Sequence, residues 1–278
     1  HLTVLADNNT FIDRYFLGEP AVSYFIEADG QRILFDVGYS DAFMANARTL
    51  EIDRLDADWL VLSHGHLDHT RGLGPLMRLH ADKGAEHRRM KRPRLVAHPG
   101  ALKRKKSRDG TDIGFLLSEE ALAECFDLQV SREPVRLTER LTFLGEIERA
   151  FDFEAQGPMG TVVESDGERD DWLLDDSALA YRSSRGLVII TGCAHAGICS
   201  VVEQARRVCG DERIVDIVGG LHLLDPPDHR LRKTVEFLKA VGPEKVHACH
   251  CTDLRSKIAL SGSLALEEVG VGLRLVYP

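Results

Sequence analysis

The sequence lacks the features that would place the chain in a membrane or hold it together with disulfides. No apolar run approaches the roughly 18 residues that a membrane-spanning helix needs, and the start shows no export-signal pattern. The six cysteines among 278 residues are few and irregularly spaced, which argues against a disulfide framework and for a reducing compartment. We therefore expect a cytoplasmic protein that has no membrane partner.

The sequence also lacks an excess of positive charge. Lysine and arginine number 35 against 44 aspartates and glutamates, and the formal net charge is -9. A chain of this charge is not expected to bind nucleic acid generally. One segment is an exception, because residues 83–108 hold eleven lysines and arginines and a single acid, Glu86.

The chain does contain enough apolar material for a substantial core. Hydrophobic residues make up 44% of the sequence, and strand-like runs alternate with runs of helical spacing. This material could fill one large α/β domain or two small ones, and we favour a single domain that spans residues 1–278.

The most specific stretch is Leu62–Thr70, which holds four metal-binding side chains within six positions: His64, His66, Asp68 and His69. It follows the apolar run 58–63, which predicts a buried strand. Gly65 allows the backbone to turn, so that the side chains can converge on two neighbouring points. Imidazole and carboxylate ligands suit Zn²⁺, Mn²⁺ or Fe²⁺. The alternative interpretation is a polar surface turn that happens to contain three histidines.

Three more predicted strands end in histidine. The apolar run 186–192 is followed by Cys193 and His195, the run 214–220 by His222, and the run 245–249 by His250. Side chains at the ends of strands in an α/β protein share one edge of the sheet. We therefore expect one site, to which His195 contributes a fifth ligand.

Other segments carry two interpretations each. His98 follows a predicted strand and either lines the site or belongs to a turn before proline. Residues 100–128 show loop and helix spacing, and we interpret residues 83–128 as partly an insertion or lid over the site. Its cations, Arg104 among them, either attract an anionic substrate or form a solvated surface. Residues 164–176 predict an exposed acidic loop, and the alternative interpretation is that Asp175 or Asp176 faces the metals.

The histidine stretch resembles the HxHxDH signature of the metallo-β-lactamase superfamily. Further similar blocks are 5–9, 34–38, 192–198, 219–223 and 249–252. Together they look most like the branch named for 7,8-dihydropterin-6-methyl-4-(β-D-ribofuranosyl)aminobenzene 5'-phosphate synthase. The resemblance implies an α/β fold, an αβ/βα sandwich of two mixed sheets with helices on the outer faces.

The resemblance also implies a set of ligands. It assigns His64, His66 and His195 to one metal, and Asp68, His69 and His250 to a second. Asp36 would orient a ligand from behind the histidine stretch. Asp7 and Asn8 would bind substrate at a strand end, or alternatively form an Asx turn.

Cys193 stands where the family pattern leads us to expect an aspartate that bridges two metals. Cys193, His222 or Asp175 could replace that bridge, or the site could hold a single metal. We expect one or two divalent ions, with zinc favoured over manganese or iron because a thiolate is a soft ligand.

The resulting functional hypothesis is a metal-dependent hydrolase of a small anionic substrate, first of all a phosphate ester, that uses a metal-bound hydroxide. Asp68 would orient the water, and His222 would act as general acid. One alternative is a synthase that joins a pterin to an aromatic ribose phosphate. Another is a metal-containing sensor that binds a ligand without turnover. The sequence leaves the oligomeric state open.

Overall fold

A computed structural model describes residues 1–52, 56–85, 91–154 and 157–278, with the backbone alone at residues 83 and 85. In chain order, the strands are β1 (Leu2–Ala6), β2 (Ser23–Ala28), β3 (Gln31–Phe35), β4 (Trp59–Val61), β5 (Arg94–Ala97), β6 (Lys105–Ser107), β7 (Asp127–Val130), β8 (Val135–Arg136), β9 (Leu141–Phe143), β10 (Gly160–Glu164), β11 (Gly167–Asp171), β12 (Ala178–Arg182), β13 (Leu187–Thr191), β14 (Ile214–Gly220), β15 (Lys245–Cys249) and β16 (Arg274–Leu275). The helices are α1 (Ala42–Thr49), α2 (Leu67–Thr70), α3 (Leu73–Ala85), α4 (Glu119–Cys125), α5 (Ile198–Cys209), α6 (Asp228–Val241) and α7 (Leu254–Ser261).

Two mixed sheets form the centre of the fold. The first has the strand order β16-β1-β2-β3-β4-β5-β7, and the second has the order β15-β14-β13-β12-β9-β8. In the first sheet the pairs β3/β4, β4/β5 and β5/β7 are parallel, and in the second β13/β14 and β14/β15 are parallel. The remaining neighbours are antiparallel.

Three apolar layers hold the two sheets and the helices together. One lies between the sheets and contains Phe35 and Val61 of the first together with Val188 of the second. Another packs the outer face of the first sheet against α1, α3 and α4, and the third packs the second sheet against α5, α6 and α7. This arrangement is the αβ/βα sandwich that the family resemblance implied, with helices on both outer faces. Among the described residues, no helix is long and apolar enough to span a membrane.

A smaller sheet corrects two local predictions. Strands β6, β10 and β11 pair in the order β11-β10-β6, so residues 164–176 are not simply an exposed acidic loop. Likewise, β6 and the start of β7 lie within residues 100–128, for which we predicted loop and helix. Neither segment contains a continuous apolar run that would predict a strand. Both form strands because they pair with strands that are distant in the sequence. Of the basic segment, Arg88, Arg89 and the side chain of Lys83 lie outside the described residues.

A close contact fixes the chain between the histidine stretch and α3. A Cβ atom added to Gly72 would lie 1.9 Å from the carbonyl oxygen of Val37 at the end of β3. The Gly72 amide also donates a hydrogen bond to the carbonyl oxygen of Gly38, at 3.1 Å. Residue 72 therefore has no room for a side chain.

Replacing Gly72 with alanine should destabilise the fold. We expect Gly72→Ala to lower the free energy of unfolding by about 1–3 kcal/mol, the usual cost of overpacking. Gly74→Ala is the matched control, because a Cβ at Gly74 meets no atom within 4 Å. Urea denaturation of both variants measures the difference, and equal midpoints would contradict the prediction.

Candidate metal centre

Three buried histidines form the first candidate metal site. One ligand atom from each of His64, His66 and His195 lies within 4.8 Å of the other two. The Nε2 atoms of His64 and His195 are 3.2 Å apart. The rings of His66 and His195 meet edge to face, with centroids 4.9 Å apart. Three imidazoles that present nitrogens to one point form a donor set typical of zinc.

The second candidate site contains a carboxylate, two imidazoles and a thiol. Ligand atoms of Asp68, His69, Cys193 and His250 lie within 4.8 Å of one another. Asp68 Oδ2 is 3.5 Å from His69 Nε2 and 3.3 Å from His250 Nε2. The sulfur of Cys193 is 3.3 Å from His69 Nε2. Cys193 thus belongs with the second set. The two sets adjoin, because the ring centroids of His64 and His69 are 4.2 Å apart.

Strand ends deliver these side chains. His64 follows β4, Cys193 and His195 follow β13, and His250 follows β15. Four non-glycine residues that follow strands β3, β13, β14 and β15 have a left-handed backbone. Their φ angles are 56° at Asp36, 58° at Ala194, 50° at His222 and 49° at His250. Such conformations are costly outside glycine and concentrate at functional sites. The chain therefore turns abruptly at the edge where the ligands meet.

Gly65 is required for close approach to the neighbouring chain. A Cβ atom there would lie 2.4 Å from the carbonyl oxygen of Ala101. Its amide donates to Asp175 Oδ2 at 2.9 Å, which fixes the loop between His64 and His66. The backbone at Gly65 is not left-handed, so packing against residue 101 explains the glycine.

Asp36 supports ligands of both sites. Its Oδ1 accepts a hydrogen bond from the Ser63 amide at 2.7 Å, and its Oδ2 accepts one from the Ser63 hydroxyl at 2.7 Å. The same Oδ2 lies 2.7 Å from His69 Nδ1. Ser63 Oγ is in turn 2.9 Å from His64 Nδ1. A single fully buried carboxylate thereby orients one ring from each set.

Two further buried carboxylates hold the ligand loops from the second sheet's side. Asp175 forms an ion pair with Lys105, which is 1% exposed and also lies 3.1 Å from Asp171. Asp176 Oδ2 accepts a hydrogen bond from the Ala196 amide at 2.8 Å, beside His195. Burial raises the pKa of Asp176 to about 7, and the nearby Asp175 adds to that effect. Neither aspartate belongs to either ligand set.

Asp7 and Asn8 contact His250. Asp7 accepts from the His250 amide at 3.1 Å and from the Asn9 amide at 2.9 Å, so it does form an Asx turn. Asn8 Oδ1 is 3.3 Å from His250 Nδ1. These contacts orient His250, and the role of Asp7 and Asn8 as substrate ligands stays a prediction.

The electrostatics of the side chains favour neutral rings in the first set and charge pairing in the second. Burial and the neighbouring histidines hold the pKa of His64 and of His195 well below the usual range. Burial also acts to lower the pKa of His69, but the carboxylates of Asp68 and Asp36 outweigh it and raise that pKa. Burial raises the pKa of the Cys193 thiol, so metal binding there must release a proton.

The residues fit divalent metal ions. Within the described ranges, His66 Nε2 is buried without a hydrogen-bond partner, which is costly for a polar atom. One set offers three imidazoles, and the other adds a carboxylate and a thiol. Both sets match the preferences of zinc and related ions.

The remaining predicted residues differ in whether they contact a residue of the two ligand sets. The ring centroids of His222 and His195 are 4.2 Å apart. The Nδ1 atom of His222 is buried without a hydrogen-bond partner among the described residues. His98 is buried, and its two ring nitrogens contact the Gly100 amide and Glu146. Arg104 pairs with Asp112 at 2.9 Å. The predicted roles of His222, His98 and Arg104 stay predictions.

Comparisons with known proteins agree with this geometry. The sequence model of the metallo-beta-lactamase superfamily matches residues 17–250. The 7,8-dihydropterin-6-methyl-4-(beta-D-ribofuranosyl)-aminobenzene-5'-phosphate synthase of Methanocaldococcus jannaschii is 29% identical over 269 aligned residues, covering 91% of this chain and 87% of the synthase. An uncharacterized protein of the same organism is 27% identical, with 94% and 93% covered.

A similar solved structure is described as a metal-dependent hydrolase of the beta-lactamase superfamily. Its TM-score with this chain is 0.83 at 27% identity, and the match covers 100% of this chain and 99% of that one. The similarity therefore extends over the whole length of both chains.

Changing Asp36 to asparagine should weaken metal binding without removing a ligand. The amide group cannot accept from all three donors that Asp36 serves, so we expect Asp36→Asn to lower zinc affinity by about 10- to 100-fold. Asp41→Asn is the control, because Asp41 is exposed and makes no capping hydrogen bond at α1. Competition with a chromophoric chelator gives both affinities, and equal values for Asp36→Asn and wild type would contradict the assignment.

Cobalt substitution tests Cys193 as a ligand. A thiolate bound to Co²⁺ gives a sulfur-to-cobalt charge-transfer band in the near ultraviolet, which Cys193→Ser should abolish. Cys251→Ser is the matched control, because Cys251 donates to the carbonyl oxygen of Cys193 but lies outside both ligand sets. A band that survives in Cys193→Ser and disappears in Cys251→Ser would identify Cys251, rather than Cys193, as the ligand.

Proposed function

The chain belongs to the metallo-beta-lactamase superfamily, and from this premise we propose that it is a metal-dependent hydrolase of a small anionic molecule, in the first place a phosphate ester. The proposal is supported mainly by the adjacency of the two ligand sets, since the ring centroids of His64 and His69 are 4.2 Å apart. Two neighbouring ions suit displacement at phosphorus, since they can act on both the attacking and the leaving oxygen.

Each residue of the centre has a proposed task. The two ligand sets would hold divalent ions, whose chemistry would be to activate water and polarise the bond under attack. Asp68 is the carboxylate of the second set, and we assign it to orient the attacking water and accept a hydrogen bond from it. His222 adjoins His195, and we assign it to donate a proton to the leaving oxygen. We favour zinc as the metal, because the Cys193 thiolate is a soft ligand.

A second candidate is transfer rather than hydrolysis. It is supported by the 29% identity with the dihydropterin synthase, which extends over 91% of this chain. The same centre would then stabilise a departing anionic group while an aromatic amine, rather than water, attacks. The two candidates differ in the nucleophile and share the site.

A substrate panel in ¹⁸O-labelled water separates the candidates. We expect zinc-loaded protein to hydrolyse an activated phosphate ester such as bis(4-nitrophenyl) phosphate and to incorporate label into the phosphate product. Asp68→Asn should lower kcat by about 10²- to 10⁴-fold, whereas Asp112→Asn, at an exposed carboxylate paired with Arg104, should not.

Other outcomes of the panel count against hydrolysis. Turnover that begins only after an aromatic amine is added, without label incorporation, would favour the transferase. Tight binding of the panel compounds without any turnover would contradict both enzymatic candidates and favour a sensor.

A further inference from the structure

A cavity of about 250 Å³ opens beside the first ligand set. His195 and His222 form the part of its wall that belongs to the metal centre, while Phe153 and Trp172 contribute apolar surface. The volume is near the lower end of small-molecule pockets, roughly 300–1,000 Å³. The cavity therefore suits part of a small molecule whose reacting bond lies at the centre.

The arginines of this cavity are Arg108 and Arg230, and His229 also lines it. Arg230 lies on α6, and its Nε is buried without a hydrogen-bond partner within the described residues. A buried N–H group that has no acceptor costs free energy. Burial accordingly lowers the pKa of Arg230, although a guanidinium remains charged at neutral pH.

The carboxylate that acts on Arg230 is already engaged elsewhere. Glu154 raises the pKa of Arg230 through its charge, yet its oxygens accept hydrogen bonds from the amides of Cys199 and Ser200, at 2.8 and 2.9 Å. The Ser200 hydroxyl donates a third, at 2.8 Å. The start of α5 thus compensates Glu154, and Arg230 is left able to bind another anion.

Other cations near the site have partners of their own. In the basic segment, Lys103 pairs with Glu164, Lys106 with Glu168, and Arg104 with Asp112. Arg108 differs, since its guanidinium donates to the carbonyl oxygen of Pro158, at 2.9 Å. Among the described residues, neither Arg108 nor Arg230 of the cavity wall forms a hydrogen bond or ion pair with a carboxylate.

We propose that this cavity recognises the part of the substrate away from the reacting bond, and that Arg230 binds an anionic group there. The group is a phosphate or a carboxylate, which both match the fork of a guanidinium. It is carried on an apolar body, such as a ring, that contacts Trp172 and Phe153. This inference rests on the proposed function, because it assigns the cavity to the substrate of the same centre.

Binding of a non-hydrolysable anion tests the proposal without turnover. Isothermal titration calorimetry of zinc-loaded protein should give a Kd for phenylphosphonate that Arg230→Gln raises about ten-fold or more, the usual cost of losing a charged hydrogen bond. Arg232→Gln is the matched control, because Arg232 lies on the same helix, is exposed and pairs with Glu236. Its Kd should equal that of wild type.

A second ligand identifies the anion. Benzoate carries a carboxylate on the same ring in place of the phosphonate. A larger effect of Arg230→Gln on phenylphosphonate than on benzoate assigns a phosphate, and the reverse assigns a carboxylate. An equal Kd for phenylphosphonate and for benzoate in Arg230→Gln and wild type, at equal zinc content, would overturn the proposal.

Chemical modification keeps the test valid if Arg230→Gln does not fold. Phenylglyoxal labels arginine side chains, and peptide mapping reports each position separately. Phenylphosphonate should slow labelling of Arg230 in wild-type protein and leave labelling of Arg232 unchanged. Equal labelling of Arg230 with and without the anion would also overturn the proposal.

The results separate this inference from the proposed function. Ester hydrolysis by an Arg230→Gln variant with unchanged Kd and KM would refute the inference and leave the function standing. Arg230-dependent binding by a protein that turns over no ester would refute the hydrolase and leave the anion site standing.

Discussion

The carboxylate of Asp36 is the contact on which the candidate metal centre depends most. It lies fully buried at the end of β3, with a left-handed backbone, and receives hydrogen bonds from the Ser63 amide and hydroxyl. It also contacts His69, while Ser63 contacts His64. One ring of each ligand set is thus oriented through a single buried group. A buried carboxylate is stable only when such donors satisfy it, so the fold and the centre require the same contacts.

Charge pairing around the centre explains why a strongly basic segment adjoins acidic strands. Lys103 and Lys106 pair with Glu164 and Glu168 of the β10–β11 hairpin, while the buried Lys105 pairs with Asp175 behind the histidine loop. These ion pairs neutralise much of the positive charge that, from the sequence, could have attracted an anionic substrate. Arg230, on a different element, lines the cavity beside His195 without such a partner among the described residues. Recognition of an anion is therefore assigned to α6.

Much of the fold could be predicted from sequence, because apolar strands and helical spacing are local signals. The strand ends also indicated where His64, His195 and His250 would meet, since strand ends in an α/β fold share an edge. The hairpin of β10 and β11 could not be predicted, because its acidic strands are stabilised by distant basic residues. Lys105 was missed because nothing local distinguishes the one buried lysine in a run of four basic residues. Ser63 was missed because a lone serine carries no comparable signal.

We propose that the two ligand sets hold two divalent ions side by side. An anomalous difference map, recorded at the zinc edge from crystals grown with zinc, tests this directly. We expect two peaks, separated by roughly 3.5–4 Å as in other two-metal sites. One would lie among His64, His66 and His195, and the other among Asp68, His69, Cys193 and His250. A map with no peak at these residues would contradict the proposed metal centre.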